Sequence, residues 1–255
     1  MRVFLITQDD PFYITRTIKD LIHELKKDGH QVIGSVASKP SPFGKKESFL
    51  RKALKTFSIF GLYFFLRYSY LYLLNRFIRN LNLSRVLSDC SVPEIKLDDS
   101  INHENSLKKI RDLNPDILIS VAGNEIFKKP LIDLAPKGCL NLHTALLPKY
   151  RGLMPTFWVL KNNEQFTGVS VFFVDEGIDS GDIVVQKKIE IADCSQEELI
   201  NKTKSLGIGA ICEALRLIEI GNVELIPNDI EKGSYFSFPT KEDVMDFKLN
   251  NKKFF

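Results

Sequence analysis

The stretch NLHTALLPKYRGLMPTFWVLKNNEQFTGVSVFFVDEGIDSGDIVVQKKIEI, residues 141–191, decides the reading of this chain. It opens as a strand, turns away at Pro148 and Gly152, and continues into two further strands, 169–174 and 183–191. Those strands are joined by DEGIDSGD, 175–182. Asn141 and His143 are two residues apart in the opening strand, so both side chains leave the same face. At the C-terminal end of a parallel strand, that face is where open α/β sheets place ligands. The loop 175–182 returns Asp179 towards the pair. An amide, an imidazole and a carboxylate thus converge in one βαββ pattern, and His143 alone of the four histidines has such a setting.

Working outward, RVFLIT at 2–7 reads as a buried strand. Ile14, Ile18, Leu21, Ile22 and Leu25 recur at helical spacing within 14–28, Gly29 stops the helix, and QVIGSV at 31–36 is a second strand. Strand, helix, strand predicts a right-handed βαβ unit opening a parallel sheet. The loop Ser38–Gly44 leaves the sheet for a helical, aromatic-rich insertion at about 45–88. The sheet is expected to resume at 91–96, with a helix near 104–113, a strand at 116–121, a helix at 127–135 and a strand at 138–142. Ser195 and Glu198 form a capping-box pattern for a long helix to about residue 219. The last run, 235–255, reads as a short strand and helix covering a hydrophobic edge. The expected fold is α/β, a Rossmann-like open and mostly parallel sheet with helices on both faces. The chain is divided as a catalytic domain, 1–191, and a C-terminal helix with a short extension, 192–255.

Composition is that of an ordinary globular protein, with 44% hydrophobic and 26% charged residues. A net charge of +3 over 255 residues gives no electrostatic footprint for nucleic acid. Lys45, Lys46, Arg51, Lys52 and Lys55 cluster locally and read as a solvated helix face, with a polyanion contact as the alternative. Cys90, Cys139, Cys194 and Cys212 show no CxxC and no zinc spacing, so they are taken as reduced thiols of a cytoplasmic protein. The chain starts directly as a strand, without a signal-peptide pattern.

Residues 56–78, TFSIFGLYFFLRYSYLYLLNRFI, are the exception to this plain picture. A membrane span wants ~20 predominantly apolar residues, and here Arg67 interrupts the run. Read as one helix, Phe57, Phe60, Tyr63, Phe64, Arg67 and Tyr68 share one stripe, and Leu62, Phe65, Leu66 and Tyr72 another. Apolar surface nearly all round predicts burial against the domain or across a homodimer, in preference to a membrane surface.

With no adjacent Ser or Cys nucleophile, the trio suits direct acyl transfer to an amine. Attack on a formyl carbon creates an oxyanion, and each positioned donor at such a charge contributes ~2.7–4 kcal/mol. Asn141 and His143 are the candidate donors, and imidazole is the side chain suited to moving protons near neutral pH. Asp179 would orient it or relay through water. Spacing alone also fits a structural histidine beside a carboxylate.

The surrounding motif resembles the folate-dependent formyltransferase family, which includes glycinamide ribonucleotide transformylase, methionyl-tRNA formyltransferase and amino-sugar N-formyltransferases. The matching residues are Asn141 and His143 as N-x-H, LLPKYRG at 146–152, Pro155, TGVSV at 167–171 and DEGIDSGD at 175–182. The resemblance implies that Asn141, His143 and Asp179 are catalytic and that the donor is 10-formyltetrahydrofolate, bound without metal. It implies a pterin site built largely from the backbone of Gly123, Asn124, Glu125, Ile126 and Phe127, with Asp175, Gly177 and Ile178 in a second loop.

On the acceptor side, TQDDPFY at 7–13 replaces the Gly/Ser-rich phosphate loop of the purine enzyme, and its Asp9 and Asp10 would repel a phosphate. The tRNA enzyme carries a further C-terminal domain by resemblance. The expectation is therefore a small amine, a nucleotide-linked amino sugar of the kind used for surface polysaccharide. The alternatives are the tRNA or glycinamide ribonucleotide acceptors, hydrolysis of the formylfolate, or a non-enzymatic, membrane-associated folate-binding protein.

Overall fold

The computed structural model describes residues 1–38, 48–97 and 99–255. In chain order the first elements are β1 (Arg2–Gln8), α1 (Ile14–Lys27), β2 (Gln31–Ser38), α2 (Phe49–Phe60), α3 (Leu62–Leu73), a π-helical turn (Leu74–Ile78), α4 (Leu83–Asp89), α5 (Glu104–Arg111) and β3 (Ile117–Val121). There follow α6 (Lys129–Ile132), β4 (Cys139–His143), β5 (Arg151–Gly152), α7 (Pro155–Lys161), β6 (Phe166–Phe173) and β7 (Ile183–Glu190). The chain closes with α8 (Gln196–Ile220), a 3-10 turn (Ile230–Lys232), β8 (Tyr235–Phe236) and α9 (Lys241–Leu249).

The main sheet has the order β2-β1-β3-β4-β6-β7. Its first four strands are parallel, β6 runs antiparallel to β4, and β7 antiparallel to β6. Strands covered on both sides read as continuous apolar runs, and alternate residues of β1 serve two different cores. Val3 and Leu5 pack with α1, α4 and α8, whereas Phe4 and Ile6 pack with α5 and α6. The expected α/β architecture, with helices on both faces, is what these residues build.

A third core lies outside the sheet. It gathers Phe60 of α2, Phe157 and Trp158 of α7, Phe247 of α9 and Phe254. The capping box at Ser195 and Glu198 starts α8 as its sequence predicts.

Three expectations are corrected. Residues 91–96 add no strand; only Glu94 bridges to Ser35, and Pro93, lacking an N–H, supplies a carbonyl instead. The helix expected at 127–135 shortens to Lys129–Ile132, with Pro130 in its first turn. The run 56–78 is not one helix, because Gly61 at φ 87° breaks it between α2 and α3. A backbone at that φ suits glycine and ends both helices cleanly. The loop from residue 39 to 44 and the cluster members Lys45 and Lys46 lie outside the described residues.

Candidate active site

β4 brings Asn141 and His143 out on the side opposite Leu140 and Leu142, which face the α8 core. His143 is 6% exposed, and Asn141 is half-buried. Beyond the strand, Ser170 of β6 accepts from the Leu147 N–H at 3.1 Å and donates to the Ala145 carbonyl at 2.8 Å. Gln186 of β7 donates to the Leu147 carbonyl at 3.0 Å. The exit loop is thereby tied to the sheet before it turns at Tyr150, whose φ is 60°. A left-handed, non-glycine residue there is the kind of local strain that surrounding contacts must hold.

His143 Nε2 lies 2.7 Å from the Tyr150 carbonyl oxygen. A carbonyl can only accept, so Nε2 carries a proton, and in the neutral ring Nδ1 is the nitrogen with the lone pair. Nδ1 is 3.6 Å from Asp179 Oδ2. A proton arriving at Nδ1 therefore arrives beside a carboxylate oxygen. The same oxygen accepts from the Gly152 N–H at 2.8 Å.

Asp179 reaches this place by a loop that doubles back. Because β6 is antiparallel, its end lies beside the start of β4, where the Val174 N–H donates to the Cys139 carbonyl at 2.7 Å. Residues 175–182 must then recross the strand. Within the loop, Asp175 Oδ1 accepts from the Gly177 N–H at 3.1 Å and from Ser180 Oγ at 2.6 Å. Asn228 holds it from below, its side-chain N–H groups reaching the Asp179 and Gly181 carbonyls, each at 3.0 Å.

The chain after α8 also braces the exit loop. Ser234 Oγ accepts from the Tyr150 N–H and the Ser234 carbonyl from the Arg151 N–H, both at 2.9 Å. β8 pairs in parallel with β5. The Phe236 ring stacks on Tyr150 and on Trp158, with centroids 5.2 and 4.7 Å apart. Gly152 sits at φ 92°, and a Cβ there would overlap the Phe236 carbonyl. Asn228 and Ser234 escaped the sequence reading. Asn228 stands between Pro227 and Asp229, where it reads as a turn residue.

Residues 123–127 follow β3, whose Val121 is paired with Leu142. Gly123 and Ile126 are exposed, Asn124 and Glu125 half-buried, and Phe127 is buried in the α5–α6 core, leaving its backbone for any ligand. The Glu125 carboxylate accepts from Ser100 Oγ and, at 3.5 Å, from the Ile101 N–H. Asn102 donates to the Ile126 carbonyl at 2.9 Å and accepts from the Lys128 N–H at 2.8 Å. Residues 100–102 thus shape this loop, which the sequence reading did not anticipate. Asp175, Gly177 and Ile178 are exposed on the opposing loop, and Glu176 there acts electrostatically on Lys129.

Asp9 and Asp10 are both engaged. Asp9 takes two bonds from Arg76, at 3.2 and 2.7 Å, and one from the Leu83 N–H at 3.1 Å. Asp10 Oδ1 accepts the N–H groups of Phe12, Tyr13 and Ile14 at 2.7, 2.8 and 3.5 Å, filling the N-terminus of α1. Burial holds the Asp10 carboxyl above its ordinary pKa despite these donors. Among the described residues no group of three or more His, Cys, Asp or Glu could hold a metal ion.

A doubly covered, mostly parallel sheet with a polar trio over its fourth parallel strand defines an α/β protein built for a ligand at the strand ends. Residues 79–215, more than half of the chain, match the family described as Formyl transferase, and the chain belongs to that family. A methionyl-tRNA formyltransferase of Kosmotoga olearia is 39% identical over 153 residues, 60% of this chain and 49% of the relative. The chain thus spans about half the length of the curated relatives it matches. Glycinamide ribonucleotide transformylase 1 from Symbiobacterium toebii shares the fold with a TM-score of 0.61 at 14% identity, over 89% of this chain and 94% of that one. The N-formyltransferase from Helicobacter canadensis, in complex with folinic acid and dTDP-3-aminofucose, shares it with a TM-score of 0.56 at 15% identity, over 93% and 71%.

Proposed function

We propose that this chain transfers a formyl group from 10-formyltetrahydrofolate to a primary amine, and that the amine belongs to a nucleotide-linked amino sugar. The observation that carries the chemistry is the pinned imidazole: Nε2–H is committed to the Tyr150 carbonyl, and Nδ1 faces Asp179 at 3.6 Å. The amine nitrogen attacks the formyl carbon, and the carbonyl pair moves onto oxygen. The Asn141 amide donates to that oxyanion. His143 Nδ1 takes the proton released by the attacking nitrogen, and Asp179 holds it in place. In that protonated form His143 joins Asn141 as a donor to the oxyanion. As the bond between carbon and N10 breaks, the proton passes to N10, so the products are the formamide and tetrahydrofolate. The backbone of residues 123–127 and the loop carrying Asp175, Gly177 and Ile178 would hold the pterin. No step requires a metal.

Two observations favour a sugar acceptor. The N–H groups at the N-terminus of α1 already donate to Asp10, which disfavours the phosphate of a glycinamide ribonucleotide there. A structural neighbour is described with an aminodeoxy-sugar nucleotide bound. The 39% identity to a methionyl-tRNA formyltransferase favours a second reading, with methionyl-tRNA as acceptor.

The test is incubation with 10-formyltetrahydrofolate and, separately, dTDP- and UDP-linked aminodeoxy sugars, methionyl-tRNA, glycinamide ribonucleotide or no acceptor, followed by mass spectrometry. Gain of one formyl group by a sugar nucleotide is expected. Formylation of methionyl-tRNA alone would move the acceptor to the second reading. Folate turnover equally fast without any amine would make the protein a hydrolase, and no turnover at all would make it a binding protein.

A further inference from the structure

The pair α2–α3 has one face that is satisfied and one that is not. On the inner face Phe60 is 3% exposed and stacks on Phe64 at 4.4 Å, and Phe64 stacks on Tyr68 at 4.3 Å. Arg67 lies over the Phe255 ring at 4.3 Å and bonds Glu197 at 2.8 Å, while Tyr68 and Tyr13 share a hydroxyl bond of 2.7 Å. This side is docked on the body of the protein.

The outer side carries Leu62, Leu66, Tyr70, Leu73 and Phe77, exposed by 59, 56, 62, 54 and 72%. Spacings of four, four, three and four residues align them as one stripe along α3 and the π-helical turn. Leu50, Leu54 and Phe57 continue the apolar surface on α2, exposed by 73, 69 and 46%. Single exposed apolar residues are normal, but an aligned array of this extent marks an interaction surface.

Charge decides what covers it. From Ser48 to Ser88 the chain has Arg51, Lys52, Lys55, Arg67, Arg76, Arg79 and Arg85 and not one Asp or Glu. The whole chain is nearly balanced, with 35 Lys and Arg against 32 Asp and Glu. Arg67, Arg76 and Arg85 turn to Glu197, Asp9 and Asp89. Lys55 lies over the Phe238 ring at 5.5 Å and Arg79 bonds Asn75 at 3.2 Å, contacts that leave their charge unneutralised, and Arg51 is exposed. A second copy packed on this face by two-fold symmetry would set the same cations against themselves. An anionic lipid surface accepts both the apolar stripe and the flanking cations, with tyrosine at the boundary.

We infer that the outer face of α2–α3 is a docking surface for anionic lipid, lying in the plane of the headgroups. The break at Gly61 suits this, because each helix of 12 residues is only about 18 Å long. Among the described residues no helix is long and apolar enough to cross a membrane. The inference stands apart from formyl transfer, since it rests on none of the residues of the trio.

The experiment is flotation of the full chain with phosphatidylcholine vesicles, with and without phosphatidylglycerol, at physiological salt. Co-flotation with the anionic vesicles is expected, weakened by at least ~10-fold when phosphatidylglycerol is left out or salt is raised. A Leu62→Ser, Leu66→Ser, Tyr70→Ser variant, with unchanged circular dichroism, should lose binding. Arg51→Gln, Lys52→Gln, Lys55→Gln should weaken it, and serves as the deciding variant if the first fails to fold. Wild-type protein that stays at the bottom of the gradient overturns the inference, as does binding indifferent to both variants. Sedimentation as a dimer that the serine variant converts to monomer, without flotation, assigns the face to a second copy.

Discussion

Residues 139–182 and residues 48–78 make opposite use of their side chains. In the first region polar groups close on one another: His143 on Tyr150 and Asp179, Asp179 on Gly152, Asp175 on Gly177 and Ser180, and Asn228 on the loop carrying Asp179. In the second, α3 commits Phe64, Arg67 and Tyr68 to the protein body and leaves Leu62, Leu66 and Tyr70 to the outside. The family match, 79–215, takes in the whole first region and begins just past the second. A site for chemistry holds its polar atoms at fixed distances. A docking face keeps its apolar area free until a partner arrives. The outer face of α2–α3 can therefore be perturbed apart from the site, whereas Phe60 on the inner face shares a core with Ala145, Tyr150 and Phe157.

The largest effect belongs to the insertion's inner side. Phe60→Ala should lower stability by about 3–5 kcal/mol, the usual cost of emptying a buried aromatic site. Leu66→Ala on the outer side should stay within about 0.5 kcal/mol. Urea denaturation of the two variants reads the contrast directly, and equal losses would mean that α3 is buried on both sides. The same contrast rules out Phe60, Phe64 and Tyr68 as probes of membrane binding, since changing them disturbs the core.

Next come His143→Ala, Asn141→Ala and Asp179→Ala. Each should reduce kcat by ~10²-fold or more with unchanged circular dichroism. Combined losses should fall short of the product of the single ones, because the groups act as a unit. A His143→Ala protein with near wild-type turnover removes the imidazole from the chemistry. None of the three should alter vesicle flotation.

A smaller effect is expected at Asn228. Asn228→Ala removes two hydrogen bonds from the loop that aims Asp179, each worth about 0.5–1.5 kcal/mol. We expect kcat to fall by ~10-fold with KM for the folate little changed. A loss of stability with full kcat in the remaining folded protein would make Asn228 merely structural.

The smallest concerns the loop after β3. Glu125→Ala releases Ser100 and Ile101 without touching the loop's backbone groups, so KM for the folate should rise only ~2–5-fold, about the worth of one net hydrogen bond. Glu125→Pro, which displaces the backbone itself, should raise it further. If alanine abolishes folate binding altogether, the carboxylate itself contacts the ligand.

Much of this was legible in the residues themselves. Continuous apolar runs located β1, β2 and β3, and the spacing of Asn141 and His143 placed them on one face of β4. The glycines and aspartates of 175–182 announced a returning loop, although not that antiparallel β6 makes the return necessary. What stayed hidden depends on partners remote in sequence. Asn228 and Ser234 act on residues 49 and 84 positions away, and no local period encodes such a contact. The break in the insertion is hidden for a different reason: hydrophobic periodicity runs straight through Gly61, whereas its backbone conformation ends one helix and begins another. Ser91–Lys96 looked strand-like by composition, yet Pro93 cannot donate to a ladder.

The brace that Asn228 and Ser234 apply from behind also sets an order of events during synthesis. Chains emerge N-terminal end first, and domains form as their parts become available. All six strands of the main sheet and both cores around it are complete once α8 has emerged. The trio is then present in covalent terms, but the loops carrying Tyr150 and Asp179 still lack their supports. Ribosome-bound chains arrested with residue 220 exposed should therefore have the main sheet formed and be inert, and activity should not begin before residue 236 has cleared the tunnel. Competence thus follows the main sheet, and the third core closes later still, when Phe247 and Phe254 arrive.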